Sequence, residues 1–249
     1  MSKAIYSDDE RRVIKQTVEE LGNKKMKEGC HGFRDYSDKT IREAARLQLN
    51  KPKSENNAAI SVIGVVLGAN RNWEKVVRPN LDSLKDSQKY GSMTFEQLEG
   101  LLIAINFEGF KEVWGHRDEK KYNTLKELVA AIRDFAQLHP GLSDFDLMSQ
   151  WARNAKLENR RTDILGSIRN VGIATFKHLR LTFGVDTVKP DQRVMEVLQL
   201  EFGKKLSPSK AILEVEEIAR IAGQSVAMID QIFVKYGSGY LKKNSSCED

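Results

Sequence analysis

What the chain has little of narrows its class before any motif is read. It holds two cysteines, Cys30 and Cys247, too far apart for zinc or iron–sulfur spacing, and a reducing compartment is expected. Its four histidines, at 31, 116, 139 and 178, show no metal-ligand spacing, so no catalytic metal is expected. The longest apolar stretch, residues 58–69, is interrupted by Ser61 and by glycines and is too short to span a bilayer. Met1 is followed by polar residues, so neither a secretory leader nor a membrane partner is expected. No alternating run demands a strand, and no fixed-period repeat suggests a solenoid.

What is present is moderate in charge and rich in helical periodicity. Lys and Arg number 40 against 35 Asp and Glu, a net +5 that favours a polyanionic partner only weakly. The 249 residues suffice for one large domain or two small ones with a real core. There are only five prolines, and apolar residues recur at steps of three and four. The pattern predicts helices at 8–21, 37–49, 58–69, 73–86, 94–105, 107–114, 119–138, 143–153, 160–168, 173–183, 190–202, 207–222 and 226–236. The first should turn Val13, Val18 and Leu21 inward. Polar "KPKSENN" at 51–57, containing Pro52, reads as a linker. Asn56 and Asn57 then stand where they can cap helix 58–69, which is apolar on most sides and belongs at the centre of a core. The expected fold class is all-α.

Between two of these helices lies "SIRNVGIATFKHL", residues 167–179. Gly172 suits a backbone position with positive φ, and Asn170 is the next most tolerant residue for one. The helix that follows opens with N–H groups lacking intrahelical partners, a place that favours an anion. Thr175, Lys177 and Arg180 stand near it. Plain packing is the alternative reading of the turn. Further on comes "VKPDQRVMEVL", residues 188–198, in which Pro190 is placed to open a helix with Asp191 in its first turn. Dipole and free N–H groups favour negative charge there. Such a carboxylate can stabilise a sugar cation as a base departs, or orient a water to attack it. It can equally serve only its own helix.

The stretch "IRNVGIATFKHLRLTFGVDTVKPDQRV" resembles the hairpin and catalytic loop of the helix-hairpin-helix (HhH-GPD) DNA glycosylase superfamily, which includes endonuclease III. The family pattern is Leu-Pro-Gly-Val-Gly-x-x-Thr-Ala, followed by an Asp that opens a helix. Ile168 stands at the Leu, Arg169 at the Pro and Asn170 at the first Gly. Val171 and Gly172 match the Val-Gly, Thr175 the Thr, and Asp191 the catalytic Asp. "AAISVIGVVLGANRNWEK" (58–75) looks like the family's buried helix and the loop that invades the DNA stack. "WGHRDEKKYNTLKELVAAIRDFAQLHPG" (114–141) resembles its Gly-x-x-x-x-Lys-Ala segment and long helix. The resemblance covers about 55–240.

It implies a two-lobed helical fold with a hairpin at 160–183 and a DNA-binding cleft between the lobes. Residues 1–54 are set apart as an N-terminal helical extension and 241–249 as a polar tail. Arg169, Asn170, Val171, Gly172, Ala174, Thr175 and Lys177 are implied to hold the DNA backbone. Asn70, Arg71, Asn72, His116 and Arg117 are implied to fill the gap left by an extruded base. For Asn70 and Asn72 a helix-capping role stays open, and His116 and Arg117 can equally be surface residues. Trp73, Trp114 and Trp151 can stack on a flipped base or serve the core.

Departures from the family bear on mechanism. Bifunctional members carry a Schiff-base Lys two residues after the hairpin's last Gly, and Ala174 stands there. The iron–sulfur cysteines are missing. The resemblance therefore implies a monofunctional glycosylase that uses Asp191 and water on a damaged or modified base in double-stranded DNA. It needs no cofactor, although a backbone-bound monovalent cation in the hairpin remains open. A monomer is expected, cytoplasmic and nucleoid-associated in a prokaryote or nuclear in a eukaryote. Two alternatives stay open: a non-catalytic DNA-binding protein on the same fold, and a glycosylase with lyase activity through another Lys.

Overall fold

The computed structural model describes residues 6–53 and 56–241, so Cys247 and nearly all of the expected tail lie outside the described residues. The helices, in chain order, are α1 (Asp8–Asn23), α2 (Phe33–Tyr36), α3 (Ile41–Asn50), α4 (Ala58–Leu67), a π-helical turn (Trp73–Val77), α5 (Arg78–Asp86), α6 (Phe95–Ala104), α7 (Phe107–Trp114), α8 (Glu119–Gln137), α9 (Asp144–Asn154), α10 (Ile173–Thr182), α11 (Gln192–Glu201), α12 (Pro208–Ala222) and α13 (Val226–Tyr240). Among the described residues no strand forms, only an isolated bridge between Lys25 and Thr40. The fold is all-α. None of these helices is long and apolar enough to cross a membrane.

Polar side chains set where many of the helices begin. Ser7, Thr40 and Thr94 each close a reciprocal pair with the residue three positions on, respectively Glu10, Glu43 and Gln97. Each pair satisfies N–H groups that the helix leaves unbonded. Asn57, Asn106, Asp118, Ser143 and Ser225 cap other helices by accepting one backbone N–H each.

The chain divides into two compact units, one of Met1–Lys51 with Asp186–Asp249, the other of Pro52–Val185. In the first unit α13 packs against α1, α3, α11 and α12. The helices of the segment set apart as an extension thus share a unit with the C-terminal helices. Ile14, Val18 and Leu21 are buried on α1, while Val13 is exposed. Ile14, not Val13, keeps the three-to-four step with Val18 and Leu21.

In the second unit α4 is the central helix, packed against α5, α6, α8, α9 and α10. Every residue of it except Ser61 is buried. Two expected elements differ. The helix foreseen over 73–86 is continuous, but its first turn (Trp73–Val77) is π-helical, with Arg78 N–H bonded to Trp73 O, and Pro79 lies just after it where α5 begins. The helix foreseen over 160–168 is absent, replaced by successive turns. Asp163 Oδ1 accepts the N–H groups of Leu165 and Gly166, both at 2.9 Å, drawing them away from helical partners.

Candidate functional site

The second unit carries the 169–172 turn, which precedes α10 but follows no helix, so the expected helix-hairpin-helix lacks its first helix. Arg169, Asn170 and Gly172 are exposed, while Val171 is buried and anchors the turn to the core. Asn170, not Gly172, takes the left-handed conformation, with φ 70°. Gly172 is extended, with φ −76° and ψ 179°, and starts α10 with no side-chain cap. A Cβ built on Gly172 would meet nothing within 4 Å. Nothing among the described residues demands a glycine there. The amides of Ile173, Ala174 and Thr175 form the first turn of α10, where partial positive charge gathers. Lys177, expected beside them as a phosphate contact, is only 5 % exposed. It lies with Phe176, Leu179 and Leu181 among the buried residues of α10, so the presented surface is backbone and Thr175.

The first two turns of α8 hold both the end of α4, next to Asn70, and the 169–172 turn. Asn170 Nδ2 donates to Thr124 Oγ1 at 3.0 Å, and that hydroxyl donates to Lys120 O at 2.8 Å. Three residues earlier, Lys121 Nζ donates to the carbonyls of Val66 and Leu67 at 3.1 and 2.7 Å and to that of Ala69. It thereby closes the C-terminus of α4, where carbonyls lack partners and a cation is favoured. Asn70 follows in the left-handed region, with φ 54°. Arg71 pairs with Asp118 at 3.5 Å, and Asn80 Nδ2 donates to Gly115 O at 3.1 Å. Asn70, Arg71, Asn72 and Arg117 are all exposed. Asn72 also caps the π-helical turn by accepting Lys75 N–H at 2.9 Å.

His116 is buried, and its Nδ1 accepts the Asp118 N–H at 3.0 Å. Burial, then the charges of Lys121 and Arg71, push its pKa below the usual imidazole range. It is therefore neutral at physiological pH, with Nε2 carrying the proton. Trp114 and Trp151 are buried core residues, which answers the stacking alternative for those two.

Asp191 belongs to the first unit. It is the N-cap of α11, with Pro190 one position before the cap rather than opening the helix. Its Oδ1 accepts the N–H groups of Arg193 and Val194 at 3.0 and 3.2 Å. Oδ2 lies 3.5 Å from Lys189 Nζ, and the side chain keeps a quarter of its surface exposed. Behind this segment is a carboxylate that the sequence reading missed. Asp230 on α13 is 1 % exposed, and its Oδ1 accepts the Lys189 N–H at 2.9 Å. Burial, then the charge of Asp191, push its carboxyl up to about 7, while the Lys189 N–H bond, the Lys189 charge and Gln231 hold it down. From the same segment Asp186 reaches the start of α13, accepting Val226 and Ala227 N–H groups at 3.2 and 2.8 Å. Segment 186–191 is thus tied to α13 at two points. The available signal was an Asp set in the apolar run "MIDQIF", where burial on most sides is expected.

Arg160 is a second residue that the sequence reading missed. Its Nη1 donates to Gly166 O at 3.0 Å and to Val171 O at 2.7 Å, bracing the turn from inside. Comparison of the chain with protein-family models, with curated proteins and with solved structures finds no match.

Proposed function

We propose that the protein is a monofunctional DNA glycosylase that hydrolyses the N-glycosidic bond of a damaged or modified base in double-stranded DNA. The observation that carries this reading is the turn at Arg169–Gly172. It exposes an uncapped helix start, a left-handed Asn170 and a glycine that no contact among the described residues requires. Backbone amides at such a helix start bind phosphate oxygens without choosing a sequence. Arg169 adds charge beside them.

The chemistry falls to Asp191. As the base departs, the bond from the sugar C1′ to the base nitrogen breaks and positive charge builds on the sugar. The Asp191 carboxylate stabilises that charge and orients a water. The water oxygen bonds to C1′, one of its protons goes to the departing base, and an abasic site remains. With Ala174 at the place of the family's Schiff-base Lys, no amine stands there to cleave the strand. The exposed Asn70, Arg71, Asn72 and Arg117 supply hydrogen-bonding groups for the orphaned partner base, whereas His116 is buried behind them and serves the loop rather than the base.

The test is a panel of duplexes carrying varied lesions, scored for strand breaks that alkali reveals only after incubation with protein. Release from at least one lesion, lost in Asp191→Asn while DNA binding persists, is the expected result. Release at the wild-type rate by that variant overturns the assignment of Asp191. A second reading is a non-catalytic DNA-binding protein, favoured by the use of Asp191 Oδ1 to cap α11. It predicts salt-sensitive binding with no alkali-labile site anywhere on the panel.

A further inference from the structure

Inside the 160–172 turn, the carbonyl oxygens of Gly166 and Val171 converge on one atom, Arg160 Nη1, at 3.0 and 2.7 Å. Carbonyl oxygens gathered round one positive centre are the donor set that holds a monovalent cation. Here the positive centre belongs to the chain. The stem of Arg160 runs directly against the turn: a Cβ on Gly166 would lie 2.5 Å from Arg160 O and 2.8 Å from its Cγ. Asp163 fixes the other polarity of the loop, accepting the Leu165 and Gly166 N–H groups and, at 3.2 Å, the indole N–H of Trp151. A free cation approaching the same two oxygens would meet the guanidinium at close range, where like charges repel. The donor set does not fit the monovalent ion that the family resemblance leaves open.

We propose that Arg160 is the built-in cation of the turn, holding the Gly166 and Val171 carbonyls in place of a monovalent ion. The turn and the amides it presents then keep their arrangement in any salt. The consequence for DNA binding rests on the glycosylase reading. The consequence for the turn itself does not.

The experiment uses the full chain in potassium, sodium or tetramethylammonium chloride at equal ionic strength. It follows amide hydrogen exchange over residues 166–175 and binding to a duplex containing an abasic-site analogue. Wild-type exchange and affinity are expected to be the same in all three salts. Arg160→Ala is expected to exchange those amides about tenfold faster in tetramethylammonium, the factor carried by a hydrogen bond to a charged group. Potassium or methylguanidinium should restore its protection. Wild-type protection that falls when potassium gives way to tetramethylammonium overturns the proposal. So does an Arg160→Ala protein with wild-type protection in tetramethylammonium. The wild-type arm needs no variant and decides the matter even if Arg160→Ala does not fold. Absence of duplex binding by the wild type counts against the glycosylase reading alone, because the exchange arm contains no DNA.

Discussion

The Asp230 carboxylate accepts the backbone N–H of Lys189 at 2.9 Å, two residues before Asp191. It is buried on α13, and the charged groups acting on it are Asp191 and Lys189. With its carboxyl pushed up to about 7, the folded state holds a proton that the unfolded chain releases near pH 4. The stabilisation from that proton is fully present below the unfolded pKa and is lost as pH rises through about 7. Asp230→Asn keeps an acceptor for Lys189 and removes the titration. Its unfolding free energy relative to wild type should therefore improve between pH 5 and pH 8, by at most a few kcal/mol. Urea unfolding of both proteins at the two pH values measures this, and a difference that does not change with pH contradicts it.

Capping and catalysis at Asp191 separate by choice of substitution. Asn caps a helix as well as Asp does, so Asp191→Asn should leave stability within about 0.5 kcal/mol of wild type. Asp191→Ala removes the acceptor for Arg193 and Val194 N–H and should cost about 1 kcal/mol. Under the proposed reaction both lose base release, whereas a purely structural Asp191 predicts activity that follows stability. Thermal unfolding beside the lesion assay distinguishes the two patterns.

Gly172 has an ordinary φ and open space where a Cβ would go. Gly172→Ala should therefore leave the fold intact and keep stability within about 1 kcal/mol of wild type, because the gain through the unfolded chain opposes the loss of a better N-cap residue. If a phosphate approaches this backbone, the added methyl should weaken duplex binding severalfold at fixed salt. Equal affinity in a titration of wild type and variant would separate the glycine from DNA contact.

Much of the helical framework was legible because local signals agreed with one another. Thr94 with Gln97 announces a helix start in chemistry that needs no tertiary partner, while Thr40 with Glu43 begins α3 at Ile41, past the start expected at 37. The nearly all-apolar run of α4 announces a central helix in the same way. The 160–168 segment was misread because its outcome depends on side chains that return to their own backbone, Arg160 to Gly166 and Val171, Asp163 to Leu165 and Gly166. The turn chemistry of "RNVG" was legible, but not which residue takes positive φ, since Asn170 and Gly172 both tolerate it. The apolar run around Asp230 signals its burial, but its partnership with Lys189 spans forty-one positions and nothing local names that partner.

Lys121 provides the last test, since one ammonium holds three carbonyls at the end of α4. The helix axis places negative partial charge there, and the loop with Asn70, Arg71 and Asn72 begins one residue beyond Ala69. Lys121→Met keeps most of the apolar stem but leaves those carbonyls without their charged donor. Unfolding free energy should fall by about 1–3 kcal/mol, the cost of unmaking hydrogen bonds to a half-buried charged group. Amides of residues 69–72 should exchange faster, while the 169–172 turn, held by Arg160, should not change. Loss of protection spread evenly through the unit would mean that Lys121 supports the core as a whole rather than this loop.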